Sequence, residues 1–138
     1  MKRDPLAVLE RLRNAAVTEA SRNLAAARAR ELQEAQRLDA YRQHMKQEQS
    51  EAVGEHVGAY TDWLPHARLQ RDRLHASLQT EESRVRRLQQ ILVARKTDAE
   101  AVVKALQRQR TAADLIEARK EQGVMDEAAG RTGRRDTQ

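Results

Sequence analysis

The chain contains no cysteine and no phenylalanine, and its 138 residues include only two tyrosines and one tryptophan. Without cysteine it can form no disulfide framework, no thiolate metal site and no cysteine nucleophile. A globular core of this size normally uses several aromatic side chains, because each of them buries a large area. Ala, Arg, Gln, Glu and Leu dominate instead, a composition typical of long helices and coiled coils.

Glycine and proline are scarce, with five and two residues. Asp4 is a good N-cap, and Pro5 is well tolerated as the first helical residue. Gly54 and Gly58 are the first glycines of the chain and predict a break between two helices. Pro65 is expected in the first turn of the second helix. The predicted module covers residues 1–138, with helix 1 at about 4–52, a loop at about 53–61, helix 2 at about 62–122 and a flexible basic tail at about 126–138.

Long apolar runs are missing too. No run approaches the ~18 apolar residues that a membrane span requires, and no secretory apolar segment follows the charged N-terminus. We therefore expect a soluble, cytoplasmic protein. The net charge of +5 arises from 26 basic and 21 acidic residues, which alternate along most of the chain and favour a solvated helix surface. Arg131, Arg134 and Arg135 form a local basic excess near the C-terminus.

Catalytic and metal-binding patterns are absent from the sequence. It has no glycine-rich phosphate loop and no His-Glu-x-x-His motif. None of the four histidines, His44, His56, His66 and His75, lies four residues from another, so surface histidines are the better interpretation. Catalytic carboxylate pairs need a pocket that shifts their pKa values, which a helical rod does not supply. We expect no enzymatic activity, no metal and no cofactor.

An apolar seam with a seven-residue period runs through the second half of the chain. Two registers form it: Leu64, Arg71, Leu78, Val85, Leu92, Ala99, Leu106, Ala113, and Ala67, Leu74, Glu81, Leu88, Arg95, Val102, Gln109, Ile116. Twelve of these sixteen positions are apolar, so the pattern predicts a helix that winds around a partner helix. This regularity argues against disorder, which has a similar composition.

The first half has a less regular seam. It begins with Leu6, Leu9, Leu12 and Ala16 and continues through Val17, Ala20, Leu24, Ala27, Glu31, Glu34, Leu38, Tyr41 and Met45. The change of phase near Ala16 indicates a stutter, which locally unwinds a supercoil. Two long helices joined by a short loop predict an all-α fold, a long antiparallel two-helix coiled-coil hairpin.

Both ends of this hairpin offer candidate interaction sites. Helix 1 can cover helix 2 only to about residue 110, which leaves Ala113 and Ile116 without a partner. An exposed apolar stripe usually marks an interaction site, although a frayed helix end is an equal alternative. At the loop end, Tyr41 and Trp63 are either interface anchors or ordinary residues that close the hairpin.

The chain resembles the FliJ-like proteins of flagellar type III export, with the YscO-like injectisome stalk proteins as near relatives. Four segments account for the resemblance: DPLAVLERLR at 4–13, LDAYR at 38–42, WLPH at 63–66 and MDEAA at 125–129. The resemblance spans nearly the whole chain and depends on the order and spacing of these segments.

The resemblance implies a monomeric hairpin similar to the central stalk of rotary ATPases. Such proteins bind the hexameric export ATPase, promote its assembly, couple it to the membrane-embedded export gate and handle substrate chaperones. The family's gate-binding positions fall on Glu34, Leu38, Tyr41, Met45, Trp63, Ala67, Gln70 and Leu74. As a hypothesis, the end of helix 2 and the basic termini enter the ATPase ring; the residues are Ala113, Ile116, Met125, Arg131, Arg134 and Arg135, with Lys2 and Arg3.

Three alternatives remain at this point. A generic dimerising scaffold would self-associate through its seam, whereas a stalk would be monomeric. A nucleic-acid binder would lose affinity steeply with salt, but the basic residues form no contiguous block. An injectisome stalk would have the same fold as a flagellar one.

Overall fold

A computed structural model describes the backbone of residues 4–136 and the side chains of residues 4–133. Within this part, the chain forms helix α1 (Pro5–Glu51), a short 3-10 turn (Gly54–His56) and helix α2 (Val57–Asp136), without any strand. The predicted all-α helical hairpin is confirmed. The predicted N-cap is also confirmed, because the Asp4 carboxylate accepts a hydrogen bond of 3.0 Å from the backbone N–H of Leu6.

The connection between the helices is shorter than the predicted loop at 53–61, since α2 already begins at Val57. Gly54 has a φ of 61°, a left-handed conformation that reverses the chain at little cost only for glycine. Gly58 is helical and no part of the break. Pro65 therefore lies inside α2 rather than in its first turn. Because proline has no backbone N–H, the helical hydrogen bond to the carbonyl of Thr61 is missing there.

The predicted flexible tail at 126–138 also differs from the structure, because α2 continues to Asp136. Gly123, Gly130 and Gly133 are all helical. A glycine inside a helix costs only about 1 kcal/mol relative to alanine, so isolated glycines weaken a helix without ending it. Lys2 and Arg3 lie outside the described residues, as do the side chains of Arg134 and Arg135.

The chain divides into two compact units. The first unit comprises Met1–Asn14 and Thr97–Gln138. In it, Val102 and Leu106 are buried, and Arg13 forms an ion pair of 3.7 Å with Asp98 that links the two helices.

The second unit, Ala15–Lys96, contains the larger core. Its centre is a cluster of Leu24, Ala27 and Val85, against which Leu88 and Leu92 pack. The helices run in opposite directions here, because Arg30 pairs with Glu81 whereas His44, further along α1, contacts Trp63, earlier in α2.

Burial along α1 follows a stuttered seam. Between Leu6 and Ala27, the seam positions with reduced exposure are Leu6, Leu9, Arg13, Val17, Ala20, Leu24 and Ala27, and Ala7, Glu10 and Ala16 beside them are also half-buried. This series contains two successive steps of four, Leu9 to Arg13 and Arg13 to Val17, which is a stutter. The prediction that Leu12 belongs to the seam is wrong: Leu12 is 62% exposed, because the extra residue of the stutter gives its position to Arg13.

Candidate interaction surfaces

The eight positions assigned to gate binding by resemblance all lie in the second unit, but they differ in exposure. Leu38 and Ala67 are buried, with 3% and 0% of their surface exposed, so both act as packing residues between the helices. Gln70 is exposed. The other five, Glu34, Tyr41, Met45, Trp63 and Leu74, are half-buried. The eight positions therefore combine residues buried between the helices with residues at the edge of the helix contact that keep part of their surface exposed.

The half-buried Glu34 is held on its own helix. Its carboxylate accepts a hydrogen bond of 3.1 Å from the guanidinium of Arg37, one turn further along α1. This i,i+3 pair fixes the direction of the side chain. The charge of Glu34 is thus matched locally and does not require a partner molecule.

Four rings form a cluster beside the turn, which we term the loop-end cluster: Tyr41, His44, Tyr60 and Trp63. The His44 ring meets Trp63 edge-on, with centroids 5.7 Å apart and an interplanar angle of 86°. Tyr41 lies 6.0 Å from His44, and Tyr60 lies 5.9 Å from Trp63. Such edge-on and tilted arrangements are favoured between aromatic rings. The cluster thus joins the two helices at the turn.

His44 and Tyr60 were not among the residues predicted from the sequence to lie in this cluster. Helical spacing could have found both, because His44 follows Tyr41 by three residues and Tyr60 precedes Trp63 by three. A cavity of about 480 Å³ opens beside these rings and is lined in part by Glu48. The His44 Nδ1 lies 4.0 Å from the Glu48 carboxylate. The loop end therefore presents aromatic and acidic groups together.

At the opposite end of α2, every described side chain after Leu106 is exposed. We term residues 107–133 the overhang. The overhang begins opposite the first residue of α1. Arg13 pairs with Asp98, Pro5 lies eight residues before Arg13, and Leu106 lies eight residues after Asp98, so the antiparallel alignment places Leu106 opposite Pro5. The sequence predicted that α1 covers α2 to about residue 110, which is close to Leu106, the last buried residue in the described part of α2. The overhang is about 40 Å of helix at ~1.5 Å per residue.

The overhang carries several large apolar side chains, and their exposed fractions are similar. Leu115 and Ile116 are 54% and 55% exposed, and Val124 and Met125 are both 66% exposed. Ala113 and Arg131, two further predicted ring-binding residues, are exposed as well. Ala113 and Ile116 lie on the continuation of the seam but have no counterpart on α1. Ala113, Ile116 and Val124 form an apolar stripe along one face of this bare helix, whereas Leu115 and Met125 lie on other faces.

The described residues contain no group of three or more His, Cys, Asp or Glu side chains that could hold a metal ion. Among the helices of this described part, none is sufficiently long and apolar to cross a lipid bilayer. The surfaces that remain as candidates are the loop-end cluster, the overhang and the flanks of the hairpin.

In a comparison with protein families, the family described as flagellar FliJ protein matches residues 1–138, the whole chain. No curated protein and no solved structure matches the chain significantly.

Proposed function

Since the chain belongs to the flagellar FliJ protein family, we propose that it is the central stalk of the flagellar export ATPase. The family has a role in flagellar export. In our proposal the chain binds the hexameric ATPase, promotes its assembly and couples it to the cytoplasmic part of the membrane-embedded export gate. It acts without catalysis of its own, and it also handles substrate chaperones.

The exposed overhang is the observation that most favours this proposal. A helix that leaves its partner and continues alone for about 40 Å is narrow enough to enter the pore of a protein ring. Ile116 and Leu115 are more than half exposed on it. Full burial of a fully exposed side chain of this size contributes roughly 1.5–3 kcal/mol, and a little over half of that area remains to be buried here. We therefore assign ATPase binding to the overhang, with Ala113, Ile116, Met125 and the basic residues Arg131, Arg134 and Arg135.

The loop end supports a separate contact with the export gate. Tyr41 and Trp63 keep part of their surface exposed, and such residues are frequent interface anchors. Gln70 adds an exposed polar group. Leu38 and Ala67 would contribute indirectly, because they hold the helices at the distance that positions the rings. The chain would then be peripheral to the membrane through the gate.

The test is ATP hydrolysis by the export ATPase of the same organism near its hexamerisation threshold, with its oligomeric state measured in parallel. We expect the full chain to stimulate hydrolysis and ring formation at a low ratio of chain to ATPase. A variant that ends after Arg110 should lose the stimulation and keep its hairpin, since residues beyond Leu106 are exposed. Unchanged stimulation by this variant would contradict the placement of the overhang in the ring.

The apolar stripe of the overhang also fits a second function, a dimerising scaffold. The two functions predict different masses: the stalk is a monomeric hairpin, and the scaffold is a dimer in light scattering. A dimeric mass without binding to the ATPase would favour the scaffold. Stimulation of an injectisome ATPase in place of the flagellar one would instead identify an injectisome stalk.

A further inference from the structure

A groove with three arginines lies on one flank of the second unit, and it shares no lining residue with the loop-end cluster or the overhang. Its volume is about 440 Å³. We term it the arginine groove; its lining residues are Asn23, Ala26 and Arg30 from α1, and Arg84, Arg87, Leu88 and Ile91 from α2. Because 23, 26 and 30 recur at helical spacing, as do 84, 87, 88 and 91, each set lies on one face of its helix.

The charge of this groove is strongly positive, because its lining contains three guanidinium groups and no carboxylate. Glu81 is the nearby counter-charge. It accepts hydrogen bonds of 3.1 and 3.2 Å from Arg84 and lies 3.7 Å from Arg30. One carboxylate thus serves two arginines, and Arg87 has no ion pair among the described residues. The pairing also orients Arg84, so less side-chain entropy is lost when a ligand binds.

The floor of the groove is apolar. Leu88 packs against the buried cluster of Leu24, Ala27 and Val85, and it is held in place by that contact. Ile91 is 43% exposed one turn further along α2. The small side chain of Ala26 leaves room above this floor. Single-stranded nucleic acids are bound by basic grooves in which the bases stack on aromatic side chains, and the lining of this groove has no aromatic residue.

We propose that the arginine groove binds an acidic amphipathic helix of a partner protein. Carboxylates are the preferred planar partners of guanidinium groups. An apolar side chain of that helix would cover Ile91 and Leu88, while flanking carboxylates pair with Arg30 and Arg87. This site is separate from the overhang and from the gate-binding positions, and it does not depend on the proposed stalk function.

The probe is a fluorescein-labelled amphipathic helical peptide with leucines on one face and glutamates flanking them, titrated into the full chain by fluorescence anisotropy. Two matched peptides replace the leucines by serine or the glutamates by lysine. A single-stranded DNA oligonucleotide is the fourth probe. We expect the acidic leucine peptide to bind most tightly and to weaken as salt rises, because the charge contribution is screened.

Substitutions locate the binding to the groove. Arg87→Glu should weaken the acidic peptide about tenfold, equivalent to 1.4 kcal/mol, and Ile91→Gln should weaken it several-fold. The matched controls are Arg86→Glu, which reverses a charge, and Val93→Gln, which replaces an apolar side chain by a polar one. Both residues are exposed and line another part of the α2 surface. Both controls should bind like the original chain. Thermal unfolding, followed by circular dichroism, should be the same for all four variants.

Three results would overturn the proposal. Equal losses for Arg87→Glu and Arg86→Glu would indicate attraction to the overall charge of the chain and no groove. Equal affinity for the serine-substituted peptide would remove the role of Ile91 and Leu88. Tighter binding of the oligonucleotide than of the acidic peptide would identify the groove as a nucleic-acid surface.

Discussion

The guanidinium of Arg30 on α1 lies 3.7 Å from the carboxylate of Glu81 on α2. Glu81 occupies a seam position that a regular heptad would give to an apolar residue, and only 15% of its side chain is exposed. Arg84 provides a second guanidinium at 3.1 Å. A charged group at a seam position penalises shifted alignments, because a shift separates it from its partner. We infer that Glu81 sets the register of the helices in this unit.

The first prediction concerns this charged contact. Glu81→Leu should raise the melting temperature or leave it unchanged, because a well-packed apolar residue often replaces a buried ion pair without loss. The same variant should form dimers that pair the seam in other alignments, visible as a heterogeneous mass in light scattering. Arg30→Ala removes the partner on α1, and it should change the unfolding free energy by less than about 1 kcal/mol, since the Arg30 side chain is 49% exposed. A single monomeric mass for Glu81→Leu would argue against a role in register.

The second prediction uses two leucines of α1 with opposite exposure. Leu24 is 5% exposed and belongs to the central cluster, whereas Leu32 is 59% exposed. Leu24→Ala should lower the unfolding free energy by about 2–5 kcal/mol, because it leaves a cavity in the core. Leu32→Ala should change it by less than about 0.5 kcal/mol. Urea titration followed by circular dichroism measures both, and similar values for the two would contradict the seam.

The third prediction uses two glycines near the turn. An added Cβ at either position would meet no atom within 4 Å beyond its chain neighbours and its own helix backbone, so only backbone conformation separates the two glycines. Gly54 has a φ of 61°, and Gly54→Ala should cost about 1–2 kcal/mol. Gly58 is helical, and Gly58→Ala should stabilise the chain by about 0.5–1 kcal/mol. Opposite shifts of the melting temperature are therefore expected, and shifts of the same sign would place the reversal elsewhere.

The fourth prediction concerns the overhang and depends on the proposed function. Ile116→Ser should leave the melting temperature unchanged, because Ile116 is 55% exposed and lies in the exposed segment that follows Leu106. It should reduce stimulation of the export ATPase several-fold. Leu32→Ser serves as a control, since it removes an equally exposed leucine from the second unit. An equal effect of both substitutions on ATP hydrolysis would show that general surface hydrophobicity is responsible.

The sequence predicted the seam of α2 well, and the reason is its strict period. Of the positions from Leu64 to Leu106 in the two registers, Arg95 alone is classed as exposed. The Asp4 cap and the FliJ-like resemblance were also evident from the residues. In α1 the seven-residue period is broken. Hydrophobicity alone predicts that Leu12 is buried and Arg13 exposed, but Leu12 is the exposed residue of the two.

Helix ends were less predictable than helix faces. In a helix interior an isolated glycine costs about 1 kcal/mol and a proline about 3 kcal/mol relative to alanine. Contacts elsewhere can outweigh these penalties, so Gly58, Pro65 and Gly123 did not end a helix. The arginine groove was equally hidden, because its residues are about 60 positions apart in the chain. Only the alignment of the helices brings Arg30 beside Glu81 and Arg84.

The sequence by itself determined that this protein is all-α, that two helices share a narrow apolar seam, and that α2 is longer than its partner. Each of these follows from local spacing, since a seven-residue period places apolar residues on one face of a helix whatever the rest of the chain does. The tertiary structure decided which residues of that seam are buried, where the chain reverses and which charges meet across the helices. These depend on the relative alignment of two distant segments, which short-range periodicity does not encode.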